Sequence, residues 1–334
     1  MMRCILFRKI ASFIIRMPLI SHVLKENNDI GIIYIKIKEK IINKARNCIR
    51  RNSVVRRLER EILELRMASV LRDSSLYDAE VDYILKNGPC RYPYKQIHKG
   101  NDIETGFDDE LFLPYVIHKE KRLYFPRGFN LKRCEKIYRS LVEFDCILGG
   151  EHMEKQPHQY QSETFKIEKN EVLVDVGSAE ALLALDQIDI LGKVYLIECD
   201  KRWAPALKAT FKLYQDKVVI VDKLISDCDS STTVTLETIL KNERDRKIFV
   251  KMDIEGSEVK VLEQSKEFLT KSSNIKLAVC TYHRQSDGDK ILSIFEEMGY
   301  QHEFSEGWVY FNEYDNEIRY PYFRHGVIRG WKRI

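Results

Sequence analysis

From about residue 166 onward, short apolar runs alternate with amphipathic segments, and this alternation restricts the fold more than any single motif does. "VLVDV", "KVYLIE", "KVVIVD", "RKIFVKMD" and "IKLAVCTYH" read as strands. "AEALLALDQID", "WAPALKATFKLYQ", "SEVKVLEQSKEFL" and "DGDKILSIFEEMGY" read as helices between or after them. Strands that are apolar along nearly their whole length are buried on both faces, and helical crossovers make their neighbours parallel. An α/β fold with a covered, mostly parallel sheet is therefore expected. Two further extended pieces, "HEFS" and "WVYFN", close the pattern.

Ligands of open α/β sheets bind beyond the carboxyl ends of the strands. Here those ends carry Asp175 and Gly177, then Glu198, then Asp253 and Glu255, then Tyr282 and His283. Gly177 permits a tight turn, followed by Ser178 and Glu180. Glu198 lies 21 positions after Gly177, where an acid can grip the hydroxyls of an adenosine ribose. A dinucleotide turn would normally read G-x-G-x-x-G, whereas this chain has "GSAEAL". S-adenosylmethionine (SAM) has no phosphate and carries a cationic sulfonium, so a turn with Asp175 and Glu180 suits it better. The plainer reading makes Asp175 a helix cap and Glu198 a solvated strand end. In "KMDIEGSE" a strand ends in three acids around a glycine. Carboxylates at a helix start explain Glu255 and Glu258 without a ligand. Magnesium on Asp253, Glu255 and Glu258 is the sharper alternative, and no metal is expected.

The preceding chain is less regular. Residues 1–72 hold 17 Lys/Arg against 6 Asp/Glu, and the remainder 38 against 45. Such a basic segment suits anionic lipid, nucleic acid or an acidic protein partner, although a solvated helical face is the plainer reading. In "RNSVVRRLEREILELRMASVL", Val55, Leu58, Ile62 and Leu65 recur at helical spacing and form one apolar stripe. "IASFIIRMPLISHVL" is broken by Arg16 and Pro18, too soon for a membrane span. Residues 73–165 read as a lead-in or cap. They include a hairpin in "LPYVIHKEKRLYFPRGF" and a helix through Cys134, Ile137, Leu141 and Phe144. The eight cysteines form no C-x-x-C pair and read as reduced thiols of a cytoplasmic protein, with peripheral contact at a membrane surface through the basic N-terminus as a second reading. The tail "YPYFRHGVIRGWKRI" interleaves aromatics with arginines, a composition that can stack on sugars or bases or pack back on the sheet.

"VLVDVGSAEALLAL", "VYLIECD", "FVKMDIEGSEVKVLE" and "LAVCTYH" together resemble the FkbM family of SAM-dependent methyltransferases. The resemblance covers residues 166 to about 300 and implies a class I, Rossmann-like sheet whose last strand is antiparallel. Together with the regions read above, the chain divides into a basic helical extension (1–72), a lead-in or cap (73–165), a methyltransferase domain (166–312) and a tail (313–334). The resemblance also implies SAM as cofactor and O-methylation of a hydroxyl in a glycan or secondary metabolite. By position, Asp175, Gly177 and Glu180 would line the methionine end of SAM, and Glu198 the ribose. Ser226 and Asp227 would lie near the adenine, and Asp253 and Glu255 would face the methyl group or the acceptor. Two positions depart from the family pattern: Ala181 stands where glycine is frequent, and "ECD" lacks the proline that commonly follows the acid.

A hydroxyl that attacks a methyl group must lose its proton, so a base is expected. His283 is the first candidate because imidazole titrates near neutrality, and Asp253 is the second. His158 in "QPHQY" is placed to close over the cofactor. A small-molecule or glycan acceptor is the expected partner. A non-catalytic subunit that docks through the helix near residue 60 is a competing reading, and an RNA-directed enzyme a weaker one, because no RNA-binding module is visible.

Overall fold

The computed structural model describes residues 60, 63–71, 74–100, 102–311 and 320–332. Two compact units divide the chain, residues 1–93 and 94–334. In the first, residues 63–71 are helical and bury Leu63, Met67 and Val70, a spacing of four and three. Of the expected stripe, Leu65 is half-buried here, and Val55, Leu58 and Ile62 lie outside the described residues. Helix α1 (Asp78–Asn87) follows and buries Val81 and Ile84.

The second unit opens with an antiparallel sheet of β1 (Thr105–Asp108), β2 (Leu113–His118) and β3 (Lys121–Tyr124). The expected hairpin is β2–β3. Its turn residues Lys119 and Glu120 both have positive φ, as a two-residue turn matched to strand twist requires. Helix α2 (Leu131–Arg139) runs into a wider π turn over Ser140–Phe144. The extra residue in that turn rotates the face, so Glu143 is buried and Phe144 is exposed, the reverse of the helical expectation.

The central sheet has seven strands in the order β6 (Val218–Val221), β5 (Lys193–Ile197), β4 (Val172–Val176), β9 (Ile248–Met252), β10 (Ile275–Cys280), β14 (Val327–Trp331) and β11 (Gln301–Phe304). The first five are parallel, and β14 is antiparallel to both its neighbours. Short β7 (Leu224–Ile225) and β8 (Thr233–Val234) pair beside the sheet. Crossover helices are α3 (Leu182–Gln187), α4 (Ala204–Thr210), α5 (Leu236–Leu240), α6 (Glu258–Lys271) and α7 (Asp287–Glu297). Val172, Val174 and Val176 of β4 meet Ile248, Val250 and Met252 of β9, Leu262 of α6 and Phe295 of α7 in one apolar cluster.

The closing strand lies elsewhere than expected. "WVYFN" contributes only β12 (Val309–Tyr310), which pairs with β13 (Phe323–Arg324) in a separate ribbon. The antiparallel strand is β14, inside the segment read as a tail. Its sequence hides it, because Arg329 and Gly330 interrupt the apolar pattern. Arg329 is nonetheless buried, 3.0 Å from Glu303 on β11, and donates to the Gln159 carbonyl at 2.7 Å. A Cβ at Gly330 would stand 2.4 Å from the Phe295 ring, so only glycine lets α7 pack there. Among the described residues, no helix is long and apolar enough to cross a membrane. Deleting residues 321–334 should leave β10 and β11 without their shared neighbour. Loss of the cooperative thermal transition, followed by circular dichroism, is the expected outcome.

Candidate active site

Alternation along the strands decides which side chains meet. With the valines of β4 and Ile248, Val250 and Met252 of β9 on one face, Asp175 and Lys251 occupy the other, and they are register partners. Asp175 Oδ1 lies 3.0 Å from Lys251 Nζ, and both side chains are buried. Lys251 also donates to the Gly177 carbonyl at 2.7 Å. Asp175 is thus no helix cap: α3 begins at Ala181 without a side-chain cap, and the acid is spent on a cation in the next strand.

Gly177 has φ +74°, and a Cβ there would come within 2.0 Å of the Asp253 carbonyl oxygen. The glycine is required because the turn after β4 packs directly on the turn after β9. The Gly177 and Ser178 amides both donate to the Ile197 carbonyl, at 2.9 and 3.2 Å. Glu198 ties the same turn from the far side: its carboxylate accepts from the Ala179 amide at 2.9 Å and the Asp200 amide at 2.7 Å. It is therefore a brace and not a solvated strand end. A carboxylate has about four lone-pair sites, so capacity for further donors remains. Ala179 and Ala181 both adopt left-handed backbone, φ 44° and 57°. Ala181 thus holds a conformation that glycine adopts freely.

The second cluster is built around Asp253. Its Oδ2 accepts from the Tyr160 hydroxyl at 3.1 Å and lies 3.4 Å from His158 Nε2. Its Oδ1 is 3.3 Å from His283 Nε2 and 3.4 Å from the Tyr282 hydroxyl. His283 Nδ1 stands 2.9 Å from Glu258 Oε1, close enough for an ion pair though off the axis of a hydrogen bond. Glu258 is fully buried and accepts from the Ile254 amide at 2.8 Å. Glu255, at φ 55°, turns its side chain out to 93% exposure, with Oε2 3.7 Å from His283 Nε2. Glu255 and Glu258 therefore approach different nitrogens of one imidazole.

These contacts set the protonation states. Burial alone would raise the Asp253 pKa, but the His158 hydrogen bond and the charge of Lys251 outweigh it and hold the carboxyl far below the usual range. Burial alone would lower the His283 pKa, but pairing with Glu258, then Asp253, raises it above the usual imidazole value. Burial pushes the Glu180 carboxyl up to about 7.

His158 does not close over the site. It is buried against Tyr160, Asp253 and Cys280, with Nε2 3.0 Å from the tyrosine hydroxyl and 3.4 Å from the thiol. Ser226 and Asp227 follow the β7 stub; Asp227 is exposed and lies 3.6 Å from Lys260 on α6. Sequence reasoning places Tyr282 at its strand end but assigns it no role, and misses Tyr160 and Arg324. Arg324 donates to the carbonyls of Tyr282 and His283 at 2.6 and 2.8 Å and so fixes the carboxyl end of β10. Lys251 did carry a signal: a lysine inside a buried strand needs a carboxylate beside it.

The turn suits SAM on two observed counts. Ser178 Oγ is buried without a partner among the described residues, and Glu180 holds an enclosed carboxyl that a cation would stabilise in its charged form.

Two outcomes are expected. Lys251→Met leaves Asp175 buried and unpaired, and should lower unfolding free energy in urea by roughly 3–5 kcal/mol. Ala181→Gly relieves left-handed strain and should raise it by up to about 1 kcal/mol.

Residues 154–302 match the family model described as the methyltransferase FkbM domain. No curated protein matches the chain. Among solved structures, the chain resembles M. jannaschii TYW2 in complex with AdoMet, at 17% identity and a TM-score of 0.36, covering 67% of this chain and 87% of that one. It also resembles precorrin-6y C5,15-methyltransferase from Geobacter metallireducens GS-15, at 14% identity and a TM-score of 0.35, covering 50% and 82%. The likeness to FkbM methyltransferases, a SAM-dependent family, thus lies in residues 154–302.

Proposed function

We propose that the protein transfers the methyl group of SAM to a hydroxyl of a glycan or small metabolite. The observation that carries this reading is the Asp253–His283 contact, 3.3 Å, at the carboxyl ends of adjacent parallel strands next to the Gly177 turn. SAM supplies a methyl group on a sulfonium. Gly177, Ser178 and Glu180 would hold its methionine end, and Glu198 the ribose hydroxyls. The acceptor oxygen forms its bond to the methyl carbon as the carbon–sulfur bond breaks, and the electron pair of that bond stays on sulfur. The hydroxyl proton passes to the Asp253–His283 pair, with His283 the first acceptor and Asp253 the second. Alignment of oxygen, carbon and sulfur supplies much of the rate. Glu255, exposed at this rim, favours an acceptor rich in hydroxyl donors over a polyanion, so RNA is the weaker reading.

Calorimetric titration with SAM tests the cofactor half. Wild type should bind, and Glu198→Ala should bind at least tenfold more weakly; a folded wild type that takes up no SAM would overturn the reading. Affinity should also follow the protonation of Glu180. Its carboxyl is neutral below about 7 and charged above, and a sulfonium favours the charged form, so binding should weaken as pH falls through 7. Glu180→Gln should abolish that dependence. The same variant should raise the melting temperature of the SAM-free protein more at pH 8 than at pH 5. A carboxyl whose pKa is raised by folding is most destabilising above that pKa. Methyl transfer from labelled SAM to candidate glycans should yield an ether that survives alkali; an alkali-labile methyl ester would contradict O-methylation of a hydroxyl.

A further inference from the structure

Three carboxylates, Asp253, Glu255 and Glu258, surround the single imidazole of His283. Lys251, whose charge acts on Asp253, is already paired with Asp175. Glu258 is fully buried, and its Oε2 has no hydrogen-bond partner among the described residues. A buried carboxylate with an unused oxygen is costly unless a cation or donor reaches it. One ligand atom from each of Asp253, Glu258 and His283 can be chosen so that all three lie within 4.8 Å of one another. Bonds of about 2.0–2.2 Å to a first-row ion place its ligands no farther apart than that. Glu255 stands at the exposed side, where a fourth ligand or water would enter.

We propose that Asp253, Glu258 and His283 bind a divalent first-row cation, with Glu255 at the open side. Two carboxylates and one imidazole are a mixed oxygen and nitrogen set, which suits manganese or zinc better than a soft ion. Local sequence brings together only the acids of "KMDIEGSE"; His283 lies 25 residues beyond Glu258 and joins them only through the fold. The inference deepens the methyl-transfer reading and rests on it only for its consequence. An ion at this rim would bind the acceptor oxygen and acidify its hydroxyl. The proton would leave to water at the Glu255 side, the oxygen would still take the methyl group, and His283 would serve as a ligand in place of accepting the proton.

The test is titration of the full, tag-free, chelator-treated chain with Mn2+, read by calorimetry and by loss of the free-ion paramagnetic resonance signal, with SAM titrated into the same preparation. One ion per chain is expected at micromolar affinity, weakened at least tenfold in Asp253→Asn and in Glu258→Gln, with Zn2+ competing. Glu258→Gln could perturb the turn that it caps, so Asp253→Asn and a His283→Gln variant, each checked for an unchanged melting profile, keep the comparison decisive. No Mn2+ uptake by a chain that binds SAM would overturn the cation site alone. Uptake undiminished in folded Asp253→Asn and His283→Gln would also overturn it, because the ion would then lie elsewhere. Mn2+ uptake that these variants lose, by a chain that ignores SAM, would support the cation site while the methyl-transfer reading fails.

Discussion

The rest of the site depends on the buried pair between Asp175 and Lys251. A lysine in the middle of a covered parallel strand cannot stay charged without a carboxylate within reach, and a carboxylate there needs a cation. Register supplies both at once by aligning β4 with β9. Lys251 then reaches the Gly177 carbonyl, which orients the first turn. Gly177 in turn packs on the Asp253 carbonyl, which seats the second. A one-residue slip of either strand would carry its charge into the valine face and leave its partner behind, so the pair fixes register as well as charge. Energy and position are thus set by one contact, and the two loops at the strand ends inherit their spacing from it.

Around that contact the polar groups fall into two sets with opposite electrostatics. On the β4 side, Glu180 is enclosed with little compensation, and its proton is held to about 7. On the β9 side, Asp253 is surrounded by donors and stays charged. The first arrangement answers a cation that arrives from outside. The second is already balanced by imidazoles and tyrosine hydroxyls, which hold its negative charge in place.

Much of this arrangement was legible in the sequence where local pattern and tertiary role agree. β4, β5, β9 and β10 are apolar along most of their length because they are buried on both faces, and strands of that kind announce themselves. The glycine and the acids at their carboxyl ends could be read off directly, as could the hairpin at Lys119 and Glu120. Legibility failed where a distant partner decides the outcome. β14 looks like a tail because Arg329 is stabilised by Glu303 and by carbonyls at residues 159 and 160, all far away in sequence. His158 reads from sequence as closing over the cofactor because its neighbours Asp253 and Cys280, which bury it, lie at the ends of other strands. Phe144 was misplaced by a single widened turn that periodicity cannot register. The Ser226 and Asp227 assignments came from resemblance and have no contact pattern that marks them out.

The position of β14 also bears on synthesis. It is the last of the seven sheet strands to be made, yet it occupies an interior place between β10 and β11. Until residues 327–331 emerge, β10 presents an open edge of unpaired amides and carbonyls, a template for misdirected pairing. The Arg324 that clamps Tyr282 and His283 arrives in the same final stretch. On the ribosome, the nascent domain therefore waits with the carboxyl end of β10 unset and one sheet edge exposed. Protection of that edge by a chaperone, or by delayed collapse of the earlier strands, becomes part of how this sequence reaches its fold.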